Sequence, residues 1–384
     1  MLRILFATAA PFYPPYQGDS ARIGAMITFF RQRGWMVDVV HCQSPFETHP
    51  DYSSMATRCD RLIVYFPTQD EAALRQRKDC DSWCPDGFAH LVGHVSEERA
   101  IDAVVVQNAF FSKCFEAINS PRRTLKIIDA EDVLTDRQRH YERLGLHYDW
   151  FSTTQEDEVH ALSRANIIMA IQEKEGRAFA AMVSNAQVII VPHAQDAPDC
   201  SEWRTHDILF VGAKNPANSE GLRRFLEGSF PSIRSQYPDA QIIIVGGVGE
   251  TVKQSGDGIV LAGVIPSLDE MYKKASLVIN PVVCGTGLCI KTAEALTRGK
   301  CMVTTPAGIA GVSNAEEISI VVQEPEGFGS IIVQLFAEPE RIQKIGERAR
   351  RFSENYFAPA RAFQSLERSM LEMLNSEKIL GRES

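Results

Sequence analysis

The stretch Cys284 to Lys300 reads CGTGLCIKTAEALTRGK, and its residue types and spacing suit the binding of an anion and a sugar. The apolar run SLVINP (276–281) predicts a strand leading into the turn Gly285-Thr286-Gly287, with a helix from about Leu288. A helix starting there aims unpaired N–H groups and the positive end of its dipole past the strand end, which favours a phosphate. Gly285 and Gly287 let the backbone approach an anion closely. Positions 287, 291, 294 and 298 share one helical face, so Lys291 and Glu294 point the same way. A lysine one turn in can reach a diphosphate, and a carboxylate one turn further can accept two hydrogen bonds from paired sugar hydroxyls. The plainer alternative is an exposed i,i+3 ion pair worth about 0.3 kcal/mol. The flanking glycines favour the binding site.

A second constellation is Cys80, Cys84, His90 and His94, spaced C-x3-C-x5-H-x3-H. All four are residue types that zinc accepts, but the central spacing is shorter than the ~12 residues of a zinc finger. The alternative is a helical or loop segment with partly buried side chains. The sequence holds nine cysteines, many inside apolar segments such as Cys42, Cys284 and Cys301. That usage fits buried thiols in a reducing compartment and no disulfide framework.

These residues need elements to position them. Short Val/Ile-rich runs alternate with amphipathic stretches along the 384 residues, the pattern of β-α units building parallel sheets. Strands are expected at LRILFAT (2–8), MVDVVHC (36–42), RLIVYF (61–66), DAVVVQ (102–107), TLKIID (124–129), ANIIMA (165–170) and QVIIVP (187–192). Helices are expected over 21–33, 110–118 and 153–164. The polar, aperiodic segment 193–206 reads as a linker. A second series follows at DILFVG (207–212), QIIIVG (241–246), GIVLAG (258–263), SLVINP (276–281), CMVTT (301–305) and EISIVV (317–322), and 338–380 is almost all helical and charged. The expected fold is α/β, two doubly wound Rossmann-like domains facing a cleft: 1–195, 196–356, and a C-terminal helix, 357–384, packing back on the first. Ligands of such sheets bind beyond the carboxyl ends of the strands.

Composition narrows the class. Hydrophobic residues make up 45% and charged residues 23%, as in an ordered globular protein. The formal net charge of −9 argues against a nucleic-acid coat or an anionic-membrane binder. No apolar run reaches the ~18 residues of a membrane helix, and LRILFATAA lacks the features of a secretory signal. A cytoplasmic location is expected.

The segment 284–300 resembles the donor-binding signature of retaining family 4 glycosyltransferases (glycosyl transferases group 1) of the GT-B fold, in the variant G-T-G-L-x-I-K-x-x-E-A-x-x-x-G-K. The rest of the second domain is similar in order and spacing: ILFVGAKNPANSEGLRRFL (208–226), PDAQIIIVGG (238–247), LAGVIPSLDEMYKKASLVINP (261–281) and VTTPAGIAGV (303–312). The resemblance implies that Gly212 and Lys214 approach the donor diphosphate. It further implies that Gly263, Val264 and Ile265 hold the nucleobase through backbone groups. Gly285, Thr286, Gly287, Leu288 and Lys291 would hold phosphate, and Glu294 the ribose hydroxyls. Thr286 departs from the pattern: many members carry there a glutamate that grips the transferred sugar.

In the first domain, LFATAAPFYPPYQGDSARIGAMITFFRQRGWMVDVV resembles the family's opening strand, glycine loop and first helix, with Gly18-Asp19 in place of the usual Gly-Gly. That makes Gly18, Asp19, Ser20 and Arg22 candidate contacts to acceptor or donor, with Asp19 also a catalytic candidate; the alternative is that Asp19 or Ser20 caps a helix. IDAEDVLTDR (128–137) is similar to an Asp-rich segment of the subgroup, which would turn Asp129, Asp132 and Arg137 to the cleft unless they are a surface charge pattern. Gln107 and Asn108 stand where members often place a histidine, and Asn108 is an acceptor candidate. His193 occupies the place of an Asn-Gly-Val-Asp run and is structural or catalytic. Phe12, Tyr13 and Tyr16 near Arg22 fit an acceptor loop or a peripheral membrane contact.

The resemblance implies transfer of a sugar from a nucleoside diphosphate to a hydroxyl acceptor (saccharide, lipid-linked glycan or glycoconjugate) with retention of configuration. No cofactor is implied beyond the nucleotide sugar as co-substrate, no metal and no nucleic-acid partner. Lys291 and the helix amides would stabilise the departing diphosphate. Two alternatives stand beside it: a non-catalytic nucleotide-sugar-binding subunit, and an epimerase of similar architecture, for which no flanking acid–base pair is found. A dehydrogenase fits less, since VGGVGETV fails the G-x-G-x-x-G register.

Overall fold

The alternation of β-branched runs and amphipathic stretches folds as two parallel sheets. The computed structural model describes residues 1–15, 18–43, 50–74, 77–119, 124–135, 137–147, 151–196, 198–200, 206–253, 256–265, 267–285 and 288–380. The chain divides into one unit of Met1–His140, Asp149–Ala194 and Pro359–Ser384, and a second of Tyr141–Tyr148 and Gln195–Ala358.

The first unit holds a seven-stranded sheet in the order β3-β2-β1-β4-β5-β6-β7. Its strands are β1 (Arg3–Thr8), β2 (Met36–Cys42), β3 (Arg61–Tyr65), β4 (Ala103–Gln107), β5 (Leu125–Ala130), β6 (Ile167–Ala170) and β7 (Gln187–Ile190). Successive side chains of a strand face opposite ways, so Leu5 and Ala7 join one apolar layer while Ile4 and Phe6 join the other. The first layer packs on Phe88, Phe111 and Phe115. The second packs on Phe29 and Phe30 and on Phe363, Leu366 and Met370 from the end of the chain. Burial on both faces is why these strands read as continuous apolar runs.

The second unit holds a six-stranded sheet in the order β10-β9-β8-β11-β12-β13. Its strands are β8 (Asp207–Val211), β9 (Gln241–Val245), β10 (Ile259–Gly263), β11 (Leu277–Asn280), β12 (Cys301–Thr304) and β13 (Ile320–Val321). Every pairing in it is parallel, so the carboxyl ends of all strands lie along one edge. Both sheets reverse their strand order about the first strand of the unit, which makes them doubly wound.

Two expectations differ locally. EISIVV (317–322) does not form one strand: a helix Ala315–Ile318 runs into it and only Ile320–Val321 pair with β12. The run expected as an α-helix over 110–118 is a 3-10 helix, Ala109–Ala117, whose Phe110, Phe111 and Phe115 fill the core. Among the described residues no helix is long and apolar enough to cross a membrane.

Candidate functional site

At the carboxyl edge of the second sheet, β8 ends in the tight crossing of two loops. The Gly212 amide donates to Val245 O at 2.9 Å, and Gly212 O accepts from Val248 N at 3.1 Å. Gly246 follows β9 with φ +96°, and a Cβ there would stand 2.4 Å from Gly212 O, so only glycine fits. Asn215 then caps the helix Pro216–Gly228: its side chain accepts from Asn218 N at 2.8 Å and Pro216 opens the first turn.

Lys291 joins this loop from the helix Ile290–Thr297, which starts two residues later than about Leu288. Its ammonium donates to Asn218 Oδ1 and lies 4.9 Å from the centre of the Phe210 ring. Asn218 is itself buried, and its Nδ2 donates to Ala213 O at 2.8 Å. Burial draws the Lys291 ammonium down to about 8, against the opposing pull of Cys289 and Glu294. The i,i+3 ion pair between Lys291 and Glu294 is not formed among the described residues. Burial pushes the Glu294 carboxyl up, while Arg298 and Lys291 partly offset it. Arg298, one turn further, pairs with Asp269 at 2.9 Å and stacks 4.6 Å from the centre of the buried Tyr272 ring. The helix is pinned to the sheet by Asn280, whose Nδ2 donates to Thr292 Oγ1 and to Gly308 O, both at 3.0 Å.

The remaining donor-site candidates are placed as follows. A side chain at Gly285 would meet nothing within 4 Å, so the space there is open. Leu288 is buried. Thr286 and Gly287 lie outside the described residues. Gly263 ends β10 with φ +64° and its carbonyl accepts from Gly246 N at 2.7 Å. Val264 beside it is 70% exposed, and Ile265 is half-buried. Lys214 does not join Lys291: it pairs with Glu250 at 2.9 Å, both side chains largely exposed.

In the first unit the candidates gather at the carboxyl ends of β1, β4 and β5. Gln107 Oε1 accepts from Thr8 Oγ1 at 2.5 Å and from the amides of Ala9 and Ala10, which fixes the loop after β1. Asn108 follows with φ +64° and donates its amide to Asp129 O. The helix Gly18–Gln32 starts at Gly18, so neither Asp19 nor Ser20 caps a helix beginning at Ala21. Asp19 accepts from Ser20 N at 2.7 Å, and burial raises its carboxyl. Ser20 is buried. Arg22 and Asp129 are both fully buried and grip one another, and Arg22 Nη1 donates to Pro192 O at 3.0 Å. Asp132 and Arg137 form a pair at 2.8 Å and are partly exposed.

Two carboxyls missed from the sequence complete this cluster. Glu131 and Glu175 are held well above the ordinary carboxylate range, first by burial and then by neighbouring carboxylates; Glu175 stands at about 9. No pattern flagged them, because an acidic residue in DAED or at the start of a helix reads as a solvated charge.

The zinc cluster and the aromatic patch receive little support. Cys80 and Cys84 point into the apolar core while His90 and His94 are exposed, so the four do not converge; Cys84 Sγ lies 3.6 Å from Cys114 Sγ instead. Among the described residues no group of His, Cys, Asp and Glu is arranged to hold a metal ion. His193 is fully buried. Phe12 is buried and Tyr13 lies under the Arg58 guanidinium, 3.5 Å from the ring centre, so neither offers an exposed aromatic patch; Tyr16 lies outside the described residues.

Comparison with solved structures places the two doubly wound parallel units in the GT-B glycosyltransferase class of fold. Sucrose-phosphate synthase from Thermosynechococcus elongatus superposes with a TM-score of 0.70 at 14% identity, covering 100% of each chain. Anabaena HepE in complex with UDP and glucose gives 0.70 at 12%, covering 96% of this chain and 99% of that one. S. aureus TarM gives 0.66 at 9%, covering 96% and 100%, in a structure with Fondaparinux, alpha-GlcNAc-glycerol and UDP. Residues 205–338 match the family model of Glycosyl transferases group 1, which bears out the resemblance to that group. A curated relative is an uncharacterized 44.6 kDa protein in the cps region of Klebsiella pneumoniae, 25% identical over 174 residues. That match takes in 42% of this chain and a little under half, 45%, of the relative's own length.

Proposed function

We propose that this chain is a glycosyltransferase that moves a sugar from a nucleoside diphosphate to a hydroxyl acceptor with retention of configuration. The observation that carries the reading is the Lys291 ammonium beside the Gly212 loop, with a neutral amide and an aromatic ring for partners. A cation with no carboxylate paired to it, at the carboxyl edge of a doubly wound sheet, suits a diphosphate. The UDP and UDP-glucose in the HepE structures support the class of ligand.

In the reaction, the bond between the anomeric carbon and the departing phosphate oxygen breaks while the acceptor oxygen bonds to the same face of the sugar. The acceptor's proton passes to the leaving diphosphate, so no separate protein base is required. Lys291 and the first amides of the helix Ile290–Thr297 meet the charge that builds on the diphosphate, with about 2–4 kcal/mol expected from one such donor. Glu294 takes the ribose hydroxyls. The proposal assigns no metal to the step, and the acceptor is a saccharide or glycoconjugate hydroxyl.

The test begins with calorimetric titration of UDP, GDP, ADP and dTDP into the full chain, then release of nucleoside diphosphate from the matching nucleotide sugar in the presence and absence of EDTA. Binding of one diphosphate in the micromolar range, with release insensitive to EDTA, is the expected result. Absence of binding by all four overturns the reading, and binding without release or transfer points to the non-catalytic alternative.

A further inference from the structure

Asn218 was singled out by no motif, yet its side chain joins three parts of the second unit. It sits in the first turn of the helix Pro216–Gly228, held there by the Asn215 cap. Its Nδ2 donates to Ala213 O at 2.8 Å, on the loop that leaves β8. A carbonyl can only accept, so this bond fixes which way the amide points and leaves Oδ1 facing Lys291. Lys291 then donates to that Oδ1. A Cβ placed on Gly212 would stand 3.2 Å from both Asn218 Nδ2 and the Phe210 ring, so Gly212, Phe210, Asn218 and Lys291 form one continuous wall.

We propose that Asn218 is the positioning residue for Lys291: by turning its amide oxygen to the ammonium, it holds that cation against the Gly212 loop, where the donor diphosphate binds. The assignment rests on the donor-site reading above for its ligand, but the positioning itself can be tested without one. Lys291 otherwise keeps a long flexible stem with several rotamers, and a neutral acceptor fixes one of them at little electrostatic cost. A carboxylate in the same place would also orient the lysine, but would compete with the diphosphate for it. An amide orients without neutralising.

The charged and titratable groups that face Lys291 are few. Cys289 and Glu294 on its own segment favour the charged form, and burial disfavours it. The neighbouring elements present the neutral Asn218 and Phe210. Replacing Asn218 therefore moves the protonation of Lys291 in a direction that depends on the replacement. Asn218→Ala removes an acceptor from the ammonium and lowers its titration midpoint. Asn218→Asp places a negative charge beside it and raises that midpoint.

The experiment is a pH titration of the full chain with 13C-labelled lysine, followed by NMR, the Lys291 signal being assigned by its loss in Lys291→Arg. In the native chain the expected midpoint is about 8. It should fall in Asn218→Ala and rise in Asn218→Asp, with thermal unfolding checked for both. If Asn218→Ala does not fold, Asn218→Asp, which keeps the size of the side chain and gives up only the bond to Ala213 O, carries the test alone. A midpoint unmoved in the folded variants overturns the proposal. In parallel, the tightest of UDP, GDP, ADP and dTDP is titrated at neutral pH. Asn218→Ala should weaken it about tenfold, a difference near 1.4 kcal/mol. If none of the four binds the native chain but the midpoints shift as stated, the donor-site reading fails and the positioning of Lys291 stands. If the diphosphate binds the native chain and both variants alike, the positioning role fails and the donor-site reading stands.

Discussion

Arg22 and Asp129 come from elements more than a hundred residues apart and meet inside the first unit, Nε lying 3.0 and 2.9 Å from the two carboxylate oxygens and Nη2 2.7 Å from one of them. Both side chains are fully buried, so neither charge has water to fall back on. Removing one partner strands the other. Arg22→Met or Asp129→Leu alone should each cost about 3–5 kcal/mol in urea unfolding, and the double variant distinctly less than the sum. Strict additivity of the two losses would show that the pair is not the unit that matters.

Lys291→Met keeps most of the stem and removes the charge. Turnover should drop about 10²–10³-fold, the loss expected for one donor aimed at developing negative charge. The same variant should melt at or above the native temperature near neutral pH, because the buried ammonium is held at about 8, below its ordinary value, and so costs stability while it is charged. Unchanged turnover would take Lys291 out of the mechanism.

The depressed value also sets a pH dependence for binding. In the free chain Lys291 is charged below about 8 and loses its proton above it. Diphosphate affinity should therefore decline as pH rises through that value, and binding at higher pH should draw a proton from solution. Isothermal titration in buffers of different ionisation enthalpy measures that uptake; a flat affinity and no uptake across this range would contradict it.

Glu175 gives a dependence of the opposite kind. Its carboxyl is held up at about 9 in the folded chain, so the fold keeps a proton that the unfolded chain gives up in the ordinary carboxylate range. The associated stability is fully present in acid and is lost as pH rises from that range through about 9. Glu175→Gln carries no such titration. By scanning calorimetry the variant should gain on the native chain as pH rises and match it in acid. A constant offset at every pH would mean that Glu175 does not titrate as described.

Gly246→Ala tests the loop crossing. A methyl group there would meet Gly212 O at 2.4 Å from a residue at φ +96°, which one side chain must relieve by moving backbone. A loss on the order of 1–3 kcal/mol is expected, together with weaker diphosphate binding. Retention of both native stability and native affinity would mean that the crossing yields easily.

Much of this architecture was legible in the residues. Buried parallel strands announce themselves as Val/Ile runs, as in DAVVVQ and QIIIVG, because both faces need apolar side chains. That Lys291 and Glu294 share one helix was legible too, since their spacing is local. What escaped notice depends on distance in sequence. Arg22 with Asp129, and Asn218 with Lys291, are pairings that only the folded sheet brings about. Lys214 also takes a partner that its sequence position does not show, pairing with Glu250 on the surface. EISIVV looked like a strand by composition, but its acidic start takes a helical turn before the sheet edge is reached.

The return of the chain to the first unit has a bearing on its biosynthesis. Phe363, Leu366, Met370 and Leu374 sit in the same apolar layer as Ile4, Phe6, Phe29 and Phe30. During translation the opening strands therefore emerge long before the residues that seal one side of them. Until residue 374 clears the ribosome, a sticky hydrophobic surface on the nascent chain stays uncovered, and a fragment expressed without its tail would carry that surface permanently.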